Sequence, residues 1–171
     1  SILDQRKFPI ENFYPLASKR SAGSKVSCQG KSWIVGDLDT FDFSKVQIGI
    51  FSAGGDISEK YAPIAAAQGC IVIDNTSHFR RDDDIPLVVP EVNTHAIANY
   101  TNRNIISNPY CSTIQMLVAL KPIYDAVGIS RINVATYQAV SGSGKEAITE
   151  LTNQTANLLN GNDVEVDVYT K

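Results

Sequence analysis

Residues 46–77 read VQIGIFSAG, then a helix-patterned stretch containing ISEKYAPIAAAQG, then CIVIDNTS. Two short apolar runs rich in isoleucine and valine enclose a segment with helical spacing that stops at a glycine. Apolar runs without clean alternation are strands buried on both faces, and a helix between two of them makes the strands parallel. This unit, more than any other feature, restricts the chain to an α/β architecture with a parallel sheet covered by helices.

The flanking segments extend the pattern. SILDQRKFP reads as the end of a helix stopping before Pro9, FYPLAS as a short apolar run, and KVSCQGKSWIVGDL as a hairpin or strand pair broken at Gly30. LVVPEVN is a further short strand limited by its proline, THAIANY a turn or two of helix, and NIISN another strand. After Ser107 the pattern changes, so the expected division is a first domain over residues 1–107 and a second over 108–171. In the second, STIQMLVALKPIYDAVG predicts a helix capped by Ser112 or Thr113 and bent or interrupted at Pro122. RINVATYQAV predicts a strand, SGSG a turn, KEAITELTNQTANLLNG a helix ending at Gly161, and DVEVDVYTK a closing strand.

In open parallel sheets ligands sit at the carboxyl ends of the strands. Three turns fall there: ASKRSAGS, FSAGGD and DNTSHFRR. Backbone N–H groups, hydroxyls and guanidinium forks suit phosphates. The plainer reading is three polar turns.

Charge and cysteine usage remove other classes. A net charge of −3 leaves no footprint for nucleic acid, and no apolar run reaches the length of a membrane span. Three cysteines, Cys28, Cys70 and Cys111, without short spacing argue against a disulfide framework, and two histidines, His78 and His95, in separate segments make a metal site unexpected. The expected setting is the reducing cytoplasm.

SNPYCST places Cys111 after a turn and before the long helix. The positive end of a helix and its free N–H groups favour a thiolate and can hold an oxyanion. A cysteine nucleophile for acyl chemistry and a buried structural cysteine both remain open on this ground. Cys70, opening the apolar CIVID run, fits the buried alternative, and Cys28 carries no further signal. Gln138 in TYQAVSGSG lies at a strand end, where an amide can bond a substrate.

CSTIQMLVALKPIYDAVGISRINVATYQAVSGSGKEA resembles aspartate-β-semialdehyde dehydrogenase, as do YPLASKRSAG, GIFSAGGDISEKYAP, IDNTSHFRRDDDIPLVVPEVN and SNPYCS, in order along nearly the whole chain. The resemblance implies a Rossmann-like NADP-binding domain followed by the start of an α+β catalytic and dimerisation domain. It implies reduction of β-aspartyl phosphate to aspartate-β-semialdehyde with NADPH and release of phosphate, on the route to lysine, threonine and methionine, in a cytoplasmic homodimer. By the same resemblance Cys111 is the nucleophile that forms an acyl-thioester, Gln138 contacts the acyl substrate, and Arg80, rather than its neighbour Arg81, holds the substrate phosphate. Ser18, Arg20 and Ser21 match the loop on the 2′-phosphate of NADPH, Ser52, Ala53 and Gly54 the turn beside the adenosine half, and Ser141 and Gly142 the turn approaching the nicotinamide.

Three departures qualify the resemblance. The family's opening strand and GxxGxxG turn are absent from this sequence, and so is the later portion that carries its catalytic histidine and its carboxylate-binding arginine. The expectation is therefore a fragment, inactive by itself, with exposed apolar faces. Tyr110 stands where the family has asparagine, either blocking the pocket or turned outward. Two rivals follow: an inert nucleotide-binding variant of the same family, and a cysteine hydrolase in which His78 or His95 serves Cys111.

Overall fold

A computed structural model describes residues 2–169. The chain divides into two units after Pro122, and each is described separately.

The first unit opens with a short helix, α1 (Ile2–Gln5), and a two-residue strand β1 (Leu16–Ala17). A hairpin follows, β2 (Lys25–Cys28) and β3 (Lys31–Ile34), antiparallel with Cys28 opposite Lys31. Its two-residue loop has Gln29 at φ 51° and Gly30 at φ 69°. Two successive left-handed residues match the right-handed twist of a hairpin, which explains the break expected at Gly30. The strand β4 (Gly36–Asp37) then lies parallel to β1.

The unit's main sheet has three parallel strands in the order β5 (Ile48–Phe51), β6 (Ile71–Asp74), β7 (Ile105–Ser107). The helix α2 (Gly55–Ala67) connects β5 to β6. Its buried residues are Ser58, Tyr61, Ala62, Ala65 and Ala66, the i, i+3, i+4, i+7, i+8 stripe of an amphipathic helix. Pro63 falls on the exposed side. Gly69, at φ 89°, ends the turn, and the N–H of Cys70 reaches back to the Ala65 carbonyl at 3.1 Å, a left-handed glycine stop.

Strand alternation separates the two faces of this sheet. Phe51, Val72 and Ile105 join Tyr61, Ala62, Ala65, Ala66, Cys70, Phe43, Phe79 and Ile85 in one buried cluster. The opposite face carries Ile48, Ile50, Ile71, Ile73 and Ile106, and there Ile48 and Ile50 stand exposed. The expected covering of both faces is thus met on one face within this chain. Phe79 is 2% exposed at the centre of the cluster. Phe79→Ala is expected to lower stability by about 3–5 kcal/mol, read as a shifted urea midpoint.

LVVPEVN forms no strand: Leu87 makes one isolated parallel bridge to Ser107, and α3 (Pro90–Asn93) begins at the proline. The Asn93 amide side chain holds the turn, accepting from the N–H of Val89 and donating to the carbonyl of Leu87, which takes up the groups a ladder would have used. A 3-10 helix, Thr94–Asn102, leads to β7.

The long helix α4 (Cys111–Val127) carries Pro122 inside it. The expected interruption does not occur. A proline removes one helical donor, and here the Val118 carbonyl that loses it belongs to an exposed residue, so water can serve it. In the second unit the strand expected at RINVATYQAV is irregular and exposed. β-branched residues need a neighbouring strand, and among the described residues none pairs with them. A 3-10 turn, Val140–Ser143, precedes α5 (Lys145–Leu159). The closing DVEVDVYTK is also no strand over its described residues; Thr170 and Lys171 lie outside them. Instead side chains of α5 take up the segment's backbone: Gln154 donates to the Glu165 carbonyl at 2.8 Å, and Glu150 accepts from the N–H groups of Asp167 and Val168.

Candidate active site

The three strands of the main sheet end side by side, and their exits are tied together. The N–H of Asn75 donates to the carbonyl of Phe51 and that of Asn108 to the carbonyl of Asp74, both at 2.8 Å. Beneath them the Asp74 carboxylate is fully buried. It accepts from Ser58 Oγ at 2.7 Å, Thr76 Oγ1 at 2.9 Å and the Thr76 N–H at 3.2 Å. Burying a carboxylate is tolerable only with such partners. The network pins α2, the end of β6 and the loop that carries Arg80.

Arg80 uses two backbone carbonyls. Its Nε donates to Asn108 at 2.7 Å and an Nη to Asn75 at 3.2 Å. Its guanidinium carbon lies 4.2 Å from the centre of the Tyr110 ring. Arg80 therefore touches two of the three residues directly before Cys111, although thirty-one positions separate it from that cysteine. The ring of Tyr110 lies against the arginine and is itself exposed, in keeping with the outward of the two expected placements.

Cys111 is the first residue of α4 and is exposed. The carbonyl of Tyr110 accepts the first helical bond, from Ile114 N–H at 2.9 Å. The donors of the first turn stand where an anion can meet them. Among the described residues neither His78 nor His95 hydrogen-bonds Cys111. The backbone N–H of His78 donates to Thr76 Oγ1, and its ring meets Phe79 edge-on. These contacts give the hydrolase rival no support. Cys70 is buried in the core, and burial pushes its thiol up from the ordinary value.

The other expected residues fall at two places in the first unit. Ser18, Arg20 and Ser21 form an exposed turn directly after β1, closed by Ser21 N–H to the Ser18 carbonyl at 2.8 Å. Arg20 makes no ion pair among the described residues, and it shares one exposed turn with the two serines. This donor set fits a phosphomonoester. Ser52, Ala53 and Gly54 are exposed at the exit of β5, where Gly54 adopts φ 113° just before α2. Asn75 links this turn to the next through Nδ2 to Ser52 Oγ at 3.4 Å.

Gln138, Ser141 and Gly142 lie in the second unit. The Gln138 amide packs on Gly142 so closely that a Cβ there would stand 2.3 Å from its Nε2. A side chain at this position would displace the free end of the exposed Gln138 amide.

Two contributors escaped the sequence reading. Asp74 was hidden as the end of an apolar strand, although an Asp-x-Thr step after such a strand is a local signal for a capped turn. The pairing of Tyr110 with Arg80 has no local signal, because it joins positions thirty apart.

A parallel sheet whose exits gather polar turns, followed by a helix opening on an exposed cysteine, makes the first unit an α/β protein. Comparison with known proteins is specific. The family model for the semialdehyde dehydrogenase NAD binding domain matches residues 1–100, and that for the dimerisation domain matches residues 120–171. The chain belongs to the semialdehyde dehydrogenase family. An aspartate-semialdehyde dehydrogenase of Shewanella sp. (strain DB6705) is 68% identical over 170 residues, covering 99% of this chain and 50% of the relative. The crystal structure of aspartate semialdehyde dehydrogenase II from Vibrio cholerae, complexed with ASA, superposes with a TM-score of 0.91 at 60% identity, over 99% of this chain and 51% of that one. A more distant structure, the Candida albicans enzyme with NADP, gives 0.56 at 25% identity over 75% of this chain and 43% of that one. The chain spans about half the length of the curated relatives it matches. Among the described residues no helix is long and apolar enough to cross a membrane.

Proposed function

We propose that this chain carries the cofactor-binding and nucleophile-bearing portion of an NADP-dependent aspartate-semialdehyde dehydrogenase. The observation that supports this best is Arg80 held against the segment that enters α4 at Cys111. A phosphate-binding cation beside a helix-terminal thiol is what an acyl phosphate requires.

In this reading Cys111 Sγ attacks the acyl carbon of β-aspartyl phosphate. The bond from that carbon to the phosphate oxygen breaks, and inorganic phosphate departs with the bonding pair at Arg80, leaving a thioester on Cys111. The N–H groups opening α4 face the oxyanion that develops on the attacked carbonyl. NADPH, when bound, supplies the hydride that takes the acyl group to the aldehyde level. Release of aspartate-β-semialdehyde then returns Cys111 as a thiolate.

Ser18, Arg20 and Ser21 would hold the 2′-phosphate, and Ser52, Ala53 and Gly54 the adenosine half. Ser141 and Gly142 would meet the nicotinamide, and Gln138 the acyl group. Residues 1–107 serve the cofactor and residues 108–171 catalysis and dimerisation. The matched dimerisation domain supports a homodimer, and the enzyme would act in the cytoplasm on small molecules of lysine, threonine and methionine synthesis.

The test is NADP+ reduction by aspartate-β-semialdehyde, with the sequence extended to the full length of its relatives. Turnover is expected only when phosphate or a close analogue is present. A second reading, an inert nucleotide-binding variant, follows from a tyrosine standing directly before Cys111. It predicts NADPH and phosphate binding without turnover.

A further inference from the structure

We infer that Tyr110 is a positioning residue for anion binding at Arg80. The inference rests on the reading of Arg80 as the phosphate ligand. Every partner of the Arg80 guanidinium is neutral: the Asn108 carbonyl, the Asn75 carbonyl and the Tyr110 ring. No carboxylate offsets its charge among the described residues. The acidic run that follows Arg81 does not do so: Asp82 and Asp84 are paired with Arg103 at 3.1 and 3.4 Å, and among the described residues no ion pair joins Asp83 to Arg80. Of the five N–H groups of a guanidinium, two are used and three remain for a ligand.

The ring decides how those three are presented. The guanidinium carbon lies over the ring, 4.2 Å from its centre, an attraction that uses no acceptor oxygen. The two carbonyls hold two of its N–H groups. An arginine clamped in this way keeps its fork directed before any anion arrives, so little side-chain freedom is lost on binding. A tetrahedral oxyanion carrying at least two acceptor oxygens, such as phosphate or an acyl phosphate, is the matching ligand. Tyr110 is itself 62% exposed, so its role is not to fill a core.

The experiment measures alkylation of Cys111 by iodoacetamide in the full chain, with peptides mapped, against rising inorganic phosphate at constant ionic strength. Cys70 remaining unreactive reports an intact core in each variant. In the unaltered chain phosphate is expected to slow Cys111 saturably and leave Cys28 unchanged, and Arg80→Gln is expected to remove the protection. Tyr110→Leu should then raise the half-protecting phosphate concentration about two- to fivefold, the span expected for an exposed cation–π contact, while Tyr110→Phe, which keeps the ring, should match the unaltered chain. Protection that Arg80→Gln abolishes but Tyr110→Leu leaves unchanged or strengthens overturns the role of Tyr110 alone. Tyr110→Phe behaving like Tyr110→Leu overturns it as well. No protection in the unaltered chain, or protection indifferent to Arg80→Gln, overturns the Arg80 reading and this inference with it.

Discussion

Cys111→Ser lowers phosphate-dependent NADP+ reduction at least about a thousandfold, the scale seen when a covalent nucleophile is removed. A helix start can help a thiol because the thiolate lies within reach of neutral pH, whereas a serine hydroxyl needs a base beside it. Cys111 is also exposed, so the exchange removes little packing. The thermal midpoint should stay within about a degree while activity disappears, since exposed substitutions usually change stability by under about 0.5 kcal/mol. Retention of a tenth of the activity or more would move the nucleophile elsewhere.

Arg80→Gln raises the KM for phosphate about ten- to a hundredfold, since hydrogen bonds to charged groups contribute about 1.5–3 kcal/mol. Arg80→Lys should recover only part of this, because an ammonium restores the charge but not the fork. The same substitutions loosen the exits of β6 and β7, since the arginine joins the carbonyls of Asn75 and Asn108. The two effects separate in the kinetics. Loss of the anion contact falls on the KM for phosphate, whereas a displaced Cys111 falls on kcat at saturating phosphate. A fall in kcat with the KM for phosphate unchanged would assign Arg80 a purely structural part.

The sequence made the local and periodic features legible. The buried stripe of α2 follows the spacing of Ser58, Tyr61, Ala62, Ala65 and Ala66, the hairpin turns at Gln29 and Gly30, and the three main strands lie within their apolar runs. Each depends on neighbours within a few residues. The two strands expected after Ser107 fail for one physical reason. Residues 129–139 and 162–169 carry β-branched patterns, but a strand exists only with a partner, and none pairs with them among the described residues. Pro122 marks an expected break whose cost a solvated helix can absorb. At the site, the helix-start cysteine and the polar turns were readable from local pattern. The roles of Arg80 and Gln138 came from resemblance to a family, since an arginine in a turn and an amide at a strand end have many uses. The seating of Tyr110 on Arg80 and the Ser58–Asp74–Thr76 network depend on strand exits brought together in space, which no local pattern encodes.

The measurement that bears most directly on the central proposal is the mass of the Cys111 peptide after mixing the full-length protein with β-aspartyl phosphate in the absence of nicotinamide cofactor. The account predicts an aspartyl adduct on Cys111, removable by hydroxylamine, with one phosphate released for each adduct formed. An unmodified Cys111 with phosphate release no faster than in buffer, or an adduct on Cys28 instead, would contradict it.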